Sequence, residues 1–318
     1  MKLIDLHCDT IMKMVETKEN LMENHCDISI PAMKKAKTAV QLFACFTNIK
    51  NFPVEEGYEA SYQYVHKMID CMEEQERLFP DEIGIARSYE DILKNEAEGK
   101  ISAVLTVEEG GVLNGKIERL DALHQRGIRL VTPMWNYENS LGHPNSRDAK
   151  VMCQGLKPFG KEVIERMGEL NMIVDVSHAS DGSFWDIINQ AKSPVIASHS
   201  NCRELCNHPR NMTDDMLRAL ANRGGISGLN FYGVFLGTQD ESRQDEMEVH
   251  VLHMINVGGI DFPAIGTDFD GFGGIKVLEV ANAGEMEKLW NMLKKKGISE
   301  NQLDKIWNGN AMRILKTI

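Results

Sequence analysis

The chain has 318 residues, 42% of them apolar and 26% charged, with a formal net charge of −12. Such a length suits one large barrel core better than two small domains, and the composition is that of an ordinary globular protein. The excess of acid argues against a nucleic-acid partner, which needs a basic surface, and against docking on anionic lipid.

No run approaches the ~18 consecutive apolar residues of a membrane-crossing helix. A cleaved leader is not expected at the N-terminus, because the first apolar run already carries a candidate functional residue. The seven cysteines are odd in number and lack a tight repeat spacing, and Cys202 and Cys206 have no matching second pair for a zinc knuckle. They read as reduced thiols of a cytoplasmic protein.

In chain order, Lys2–Asp9 (KLIDLHCD) predicts a short buried strand ending on His7 and Asp9. At i and i+2 these two point the same way, so one metal can take both. Cys8 between them faces the other way and reads as a small buried apolar residue. Thr38–Phe46 predicts the second strand, and helical patterns at Glu59–Leu78 and Tyr89–Glu98 fill the gap to the third.

That third strand, Ile101–Glu109 (ISAVLTVEE), ends on two carboxylates. Neighbours on a strand face opposite ways, so Glu108 and Glu109 compete for one role, with Glu108 preferred. A carboxylate favoured by a helix N-terminus is the plainer reading of either. Gly110-Gly111 weakens it by suggesting close backbone packing. A helix at Lys116–Arg126 leads to the fourth strand, Ile128–Trp135, and a helix at Phe159–Leu170 to the fifth.

The fifth and sixth strands, Met172–His178 and Pro194–His199, flank a helix at Asp181–Gln190 and end in the same local frame, V-S-H-A-S and A-S-H-S-N. Neutral imidazole is a natural zinc ligand, and two histidines on neighbouring strands can face one ion. A helix at Thr213–Asn222 precedes the seventh strand, Gly225–Phe231, and one at Glu246–Asn256 precedes the eighth, Ala264–Asp270. The eighth ends in G-T-D-F-D-G. The spacing of Asp268 and Asp270 puts both on one side, as ligand, proton shuttle or Asp/Gly turn. Helices at Glu285–Lys296 and Ser299–Leu315 close the chain, and Lys294–Lys296 reads as a solvated helix end. Ser180 and Thr213 are expected N-caps, and Gly127 and Gly224 expected C-terminal glycines.

Strands alternating with helices through right-handed crossovers give a parallel sheet, and eight such units allow it to close. The expected fold is α/β, a (β/α)8 TIM-type barrel forming one domain over residues 1–318. In such barrels functional residues gather at the C-terminal ends of the strands, which is where five of the runs end in His, Asp or Glu.

With these residues placed, the chain resembles the membrane (renal) dipeptidase family, metallopeptidases on a metal-dependent amidohydrolase barrel. The likeness runs nearly end to end. It comprises D-L-H-C-D at Asp5–Asp9, V-E-E-G-G at Val107–Gly111, D-V-S-H at Asp175–His178, S-H-S at Ser198–Ser200, R-N-M-T-D-D at Arg210–Asp215, N-F-Y at Asn230–Tyr232 and G-T-D-F-D-G at Gly266–Gly271. The tail, Gly309-Asn310 to Ile314, resembles the family's closing N-x-x-R helix.

The resemblance implies a binuclear zinc metallopeptidase holding two Zn2+ ions per chain. His7 and Asp9 would bind one ion, His178 and His199 the other, and Glu108 would bridge them. A hydroxide between the ions would attack the peptide bond of a free dipeptide, including one with a C-terminal D-residue. Asp268 would be the acid/base, and Arg210 would hold the free carboxylate. Tyr232 and Trp135 would complete the substrate site, and a homodimer is the implied assembly. Trp135 stands where many members have a histidine thought to steady the oxyanion; Asn136 and His143 are candidate substitutes. Another barrel amidohydrolase, acting on N-acyl, lactone or cyclic amide substrates, is the rival enzyme reading. A metal-binding protein without turnover is the rival outside catalysis.

Overall fold

The computed structural model describes residues 2–53 and 57–318. Eight parallel strands form the barrel: β1 (Leu3–Asp5), β2 (Thr38–Phe46), β3 (Ile101–Glu108), β4 (Ile128–Thr132), β5 (Ile173–Asp175), β6 (Val195–Ile196), β7 (Ser227–Leu229) and β8 (Pro263–Ile265). Neighbours in sequence are neighbours in the sheet, and β8 returns to pair with β1. A parallel bridge between Ala197 and Ser227 joins β6 to β7 and closes the ring. The longest ladder pairs Val40–Phe46 with Ser102–Glu108, which carries Glu108 to the C-terminal rim.

The strands are buried on both faces, as a parallel barrel requires. Ile4, Val40, Leu42, Val104, Leu130, Ile173 and Ile196 fill the interior, and Ala311, Ile314 and Leu315 of the last helix join this cluster. The alternate residues, among them Phe43, Leu105, Val107, Val131 and Val174, pack outward with the surrounding helices. This apolar packing leaves the rim for polar groups.

The helix Asp181–Gln190 has its expected bounds, capped by Ser180, whose hydroxyl accepts from the Ser183 N–H. Thr213 caps Asp214–Asn222 in the same way. Gly127 and Gly224 follow their helices with φ of 102° and 76°. All seven cysteines are free thiols, and Cys8 is buried. Among the described residues no helix is long and apolar enough to cross a membrane.

Several elements differ from expectation. Ser299–Leu315 is helical as expected from Glu300 to Leu315, but its middle five residues, Lys305–Gly309, widen into a π turn between Glu300–Asp304 and Asn310–Leu315. The Asn310 amide donates to Ile260 O at 2.9 Å and Pro263 O at 2.8 Å, docking that turn onto the approach to β8. A short strand, Ile83–Ile85, pairs with the first half of β3 before β4 takes over at Leu105. The helices Thr10–Thr17 and Ile30–Ala36 fill the β1–β2 connection, where no helix is expected from the pattern.

Strands β1, β5 and β6 also stop short of His7, His178 and His199. The cause is local. Asp5 and Asp175 end their strands and their carboxylates take backbone N–H groups that a continuing ladder would use: Thr267 N at 2.9 Å on Asp5, Ser177 N at 3.0 Å and Ser198 N at 2.9 Å on Asp175.

Candidate metal centre

His178 and His199 follow β5 and β6, and their Nε2 atoms lie 3.2 Å apart. Each ring's other nitrogen is already engaged. His178 Nδ1 is 3.0 Å from Asn136 Oδ1, an acceptor, so it carries the proton. His199 Nδ1 is 2.6 Å from Ser198 Oγ, whose own hydrogen goes to Asp175 Oδ2 at 2.7 Å. Both Nε2 atoms therefore present lone pairs to one another. Burial, with Arg210 adding to it, pushes His178 down to about 4. Burial and the stacked His7 ring hold His199 well below the usual histidine value. Two neutral, converging imidazoles repel unless a cation lies between them.

Glu108, the last residue of β3, divides its carboxylate. Oε1 lies 2.8 Å from His178 Nε2 and 3.5 Å from His199 Nε2, while Oε2 lies 3.3 Å from His7 Nε2. Burial opposes its charge, but His7 and His178 outweigh that and hold it well below the carboxylate range. Glu109 turns away at φ 98°. Its Oε1 accepts from Gly111 N at 2.8 Å and the Asn139 amide at 2.6 Å. Glu109 thus ties the turn after β3 to the loop after β4, and burial raises its carboxyl to about 7.

On the other side, a parallel bridge between Cys8 and Phe269 extends the β1–β8 pairing and brings three candidates together. His7 Nε2 is 3.5 Å from Asp9 Oδ2 and 3.8 Å from Asp268 Oδ1. Burial disfavours the His7 imidazolium, yet Glu108 and Asp9 beside it hold its pKa well above the ordinary value. Burial raises Asp9 to about 6. Asp268 rises to about 7, first by burial and then by Asp9 and Glu108. Its Oδ2 accepts from the Asn230 amide at 2.9 Å, leaving Oδ1 toward His7.

The two aspartates of G-T-D-F-D-G do not share a side. Their φ values, 62° and 69°, break the strand alternation. Asp268 enters the centre, whereas Asp270 accepts from Thr10 Oγ1 at 2.7 Å and Lys13 Nζ at 3.0 Å. Gly271 permits the approach: a Cβ there would lie 2.2 Å from Asp9 Oδ2 and 2.4 Å from Asp268 Oδ1.

These residues fit a pair of metal ions. His7 Nε2 and Asp9 Oδ1 are buried without a hydrogen-bond partner, which is costly for polar atoms unless something else answers them. Donors held ~2.0–2.1 Å from a tetrahedral zinc lie about 3.3–3.4 Å apart. The separations of 3.2, 3.3 and 3.5 Å between Nε2 and carboxylate or Nε2 partners come near that, whereas the 2.8 Å between His178 Nε2 and Glu108 Oε1 is a hydrogen-bond distance.

A cavity of about 720 Å³ opens over the centre, and Arg210, Tyr232 and Trp135 all line it. Arg210 is buried; its Nη1 donates to Ser177 O and to Ser200 Oγ at 3.2 Å, and its Nε has no partner. Tyr232 stacks on Phe272 with centroids 5.2 Å apart. Trp135 packs edge-on against Phe46 at 4.8 Å and forms an apolar wall. Of its candidate substitutes, Asn136 lines the cavity and orients His178. His143 is turned to Gly155 O at 2.9 Å and is not in the lining.

Ser198, Asp175, Asn230 and Gly271 shape the site although residue patterns gave them no role in it, and Asn136, expected only as a substitute for the missing histidine, orients His178 instead. Asp175 and Ser198 stand beside the histidines, and a buried polar residue next to a candidate ligand was the available signal. Asn136 and Asn230 act across the barrel, and no local spacing marks them.

The family described as Membrane dipeptidase (Peptidase family M19) matches residues 1–318. An uncharacterized protein in the pqqA 5′ region of Klebsiella pneumoniae is 33% identical over 241 residues, 73% of this chain and 87% of that one. An uncharacterized dipeptidase of Schizosaccharomyces pombe is 28% identical over 307 residues, 94% of this chain and 73% of its own. In fold, the chain is similar to a Rhodobacter sphaeroides metallopeptidase solved with a phosphinate mimic of the dipeptide L-Ala-D-Ala. The TM-score is 0.89 at 20% identity, covering 100% of this chain and 99% of that one.

Proposed function

The chain belongs to the membrane dipeptidase family, and from that premise we propose that it is a zinc-dependent dipeptidase holding two ions. His7 and Asp9 would hold one, His178 and His199 the other, and Glu108 would serve both. The observation that carries this reading is the division of Glu108, one oxygen toward His178 and His199 and the other toward His7. When bound, zinc supplies a Lewis acid for the peptide carbonyl and lowers the pKa of water.

The chain's own residues do the rest. Arg210, with an unpartnered buried Nε, receives the free carboxylate of the dipeptide. Trp135 and Tyr232 wall the site and exclude water from the scissile bond. Asn230 holds Asp268 Oδ2, so Oδ1 is the oxygen that takes a proton from the attacking water. As the C–N bond breaks, Asp268 returns that proton to the leaving amine, and two amino acids are released. A carboxyl raised to about 7 can both accept and donate near neutral pH. Dipeptides with a C-terminal D-residue fall within this reading, as the ligand mimic in the Rhodobacter sphaeroides metallopeptidase suggests. The free thiols agree with a cytoplasmic setting.

The test is hydrolysis of L,L and L,D dipeptides by zinc-loaded protein, beside N-acetylated and C-amidated versions. Cleavage of free-ended dipeptides alone is expected. No cleavage by fully metallated protein overturns the reading and turns attention to lactones and N-acyl substrates.

A further inference from the structure

The charges around the cavity are sorted by position in the barrel. Its carboxylates, Asp9, Glu16, Glu108 and Asp268, come from β1, β3 and β8 and the helix after β1. Its guanidiniums, Arg147 and Arg210, come from the loops after β4 and β6, across the ring. Arg210 is already assigned to the substrate's main-chain carboxylate. Arg147 has no such assignment. It is exposed at the rim, and among the described residues it has no hydrogen bond or ion pair.

The loop that carries Arg147 is built rather than loose. Asn145 N–H donates to His178 O at 2.8 Å, Pro144 bridges to Ala179, and Ser146 N–H reaches Met152 Sδ at 3.3 Å. The backbone that carries Arg147 is thus held two residues from a bond to His178, and among the described residues its side chain stands free at the rim. Nearby Arg203 is different, since both its Nη atoms engage Asp181, at 2.9 and 2.8 Å. His208, on the same wall, is driven down to about 4 by burial and then by Arg147, Arg210 and Arg203, so it adds no charge of its own. The wall holds two guanidiniums, one buried and one at the rim, that no carboxylate of the described residues pairs with.

We propose that Arg147 receives the side-chain carboxylate of an acidic C-terminal residue, making dipeptides that end in Asp or Glu the preferred substrates. This rests on the dipeptidase reading, with Arg210 on the main-chain carboxylate. The two carboxylates of such a residue need two cations on one wall, and Arg147 is the cation that a neutral dipeptide leaves unused. A lysine or arginine in that place would meet like charge.

The experiment compares kcat/KM for Ala-Glu, Ala-Gln, Ala-Asp, Ala-Asn, Ala-Lys and Ala-Ala, with both hands at the second residue, on zinc-loaded protein of measured metal content. Acid over amide by about five- to tenfold is expected, carried by KM and shrinking with added salt. Arg147→Gln should bring that ratio near one, and Arg147→Glu should turn the preference toward Ala-Lys. Equal rates on Ala-Glu and Ala-Gln, or an unchanged ratio in Arg147→Gln, overturn the proposal while cleavage of Ala-Ala keeps the dipeptidase reading. Failure on every dipeptide, Ala-Ala included, overturns both.

Discussion

On the β5–β6 side of the centre, Asp175 accepts from Thr132, Ser177 and Ser198 and so ties three strands together. On the β8–β1 side, Asp5 does the same for Thr267, accepting its N–H at 2.9 Å and its hydroxyl at 2.7 Å. One device stands beneath both sides, yet they differ in character. Above Asp175 both imidazoles have their Nδ1 protons engaged and stay neutral, with lone pairs aimed at one point. Above Asp5 the groups are carboxylates and a histidine with an orphaned nitrogen, and burial lifts Asp9 to about 6 and Asp268 to about 7. The first arrangement suits gripping a cation; the second joins two further cation donors, His7 and Asp9, to one proton carrier, Asp268. Glu108 stands between them.

Removing the link should have the largest effect. Glu108→Gln is expected to lose at least one metal, measured by elemental analysis, and most turnover with it. Two retained ions would show that Glu108 is not needed to hold them. Next comes the proton carrier of the β8–β1 side alone: Asp268→Asn should keep its metal and lose about 10²–10⁴-fold in kcat. A near-normal rate would remove Asp268 from the mechanism.

Gly271→Ala presses on that same side sterically, since its Cβ would meet both Asp9 and Asp268. A displacement on the order of 1 Å costs about 10²-fold, so kcat/KM should fall by up to that amount. Unchanged kinetics would show that the turn yields freely. Asn136→Ala acts only on the β5–β6 side. It frees the His178 ring, and metal affinity measured against a chelator should drop about 10–100-fold. No change would mean that packing alone orients His178.

The smallest effect is on stability. Asp27 faces Asp270, and burial followed by that charge raises it to about 6 from an ordinary 3.8. An acid raised on folding stabilises fully below its unfolded value, and the contribution is lost as pH rises through about 6. The melting temperature of Asp27→Asn should therefore gain on that of the unsubstituted protein between pH 4 and pH 6. A constant difference would show that Asp27 titrates normally.

Much of this architecture is legible from residue order. Strand β2 has the bounds its apolar run predicts, as does the helix Asp181–Gln190, because a continuous apolar run and a capped amphipathic pattern are local signals. The ligand candidates are legible because each closes such a run. Less legible are the ends of β1, β5 and β6. The apolar pattern continues past Asp5 and Asp175, where those carboxylates take the backbone N–H groups of Thr267, Ser177 and Ser198 and interrupt the ladder. The helix Thr10–Thr17 and the π turn before Asn310 escape because distant partners, Asp270 for Thr10 and the β8 approach for Asn310, help hold them.

By itself, then, the sequence determined the barrel, its order and which residues reach its rim, since these follow from periodicity and the alternation of elements. Tertiary structure decided between neighbours that spacing treats alike. Glu108 points in and Glu109 out because the latter sits at φ 98° and bonds to Gly111 and Asn139. Asp268 and Asp270 part because two left-handed residues break the alternation. Asn136 reaches His178 because the ring closes, and a contact across 42 residues has no local period to announce it.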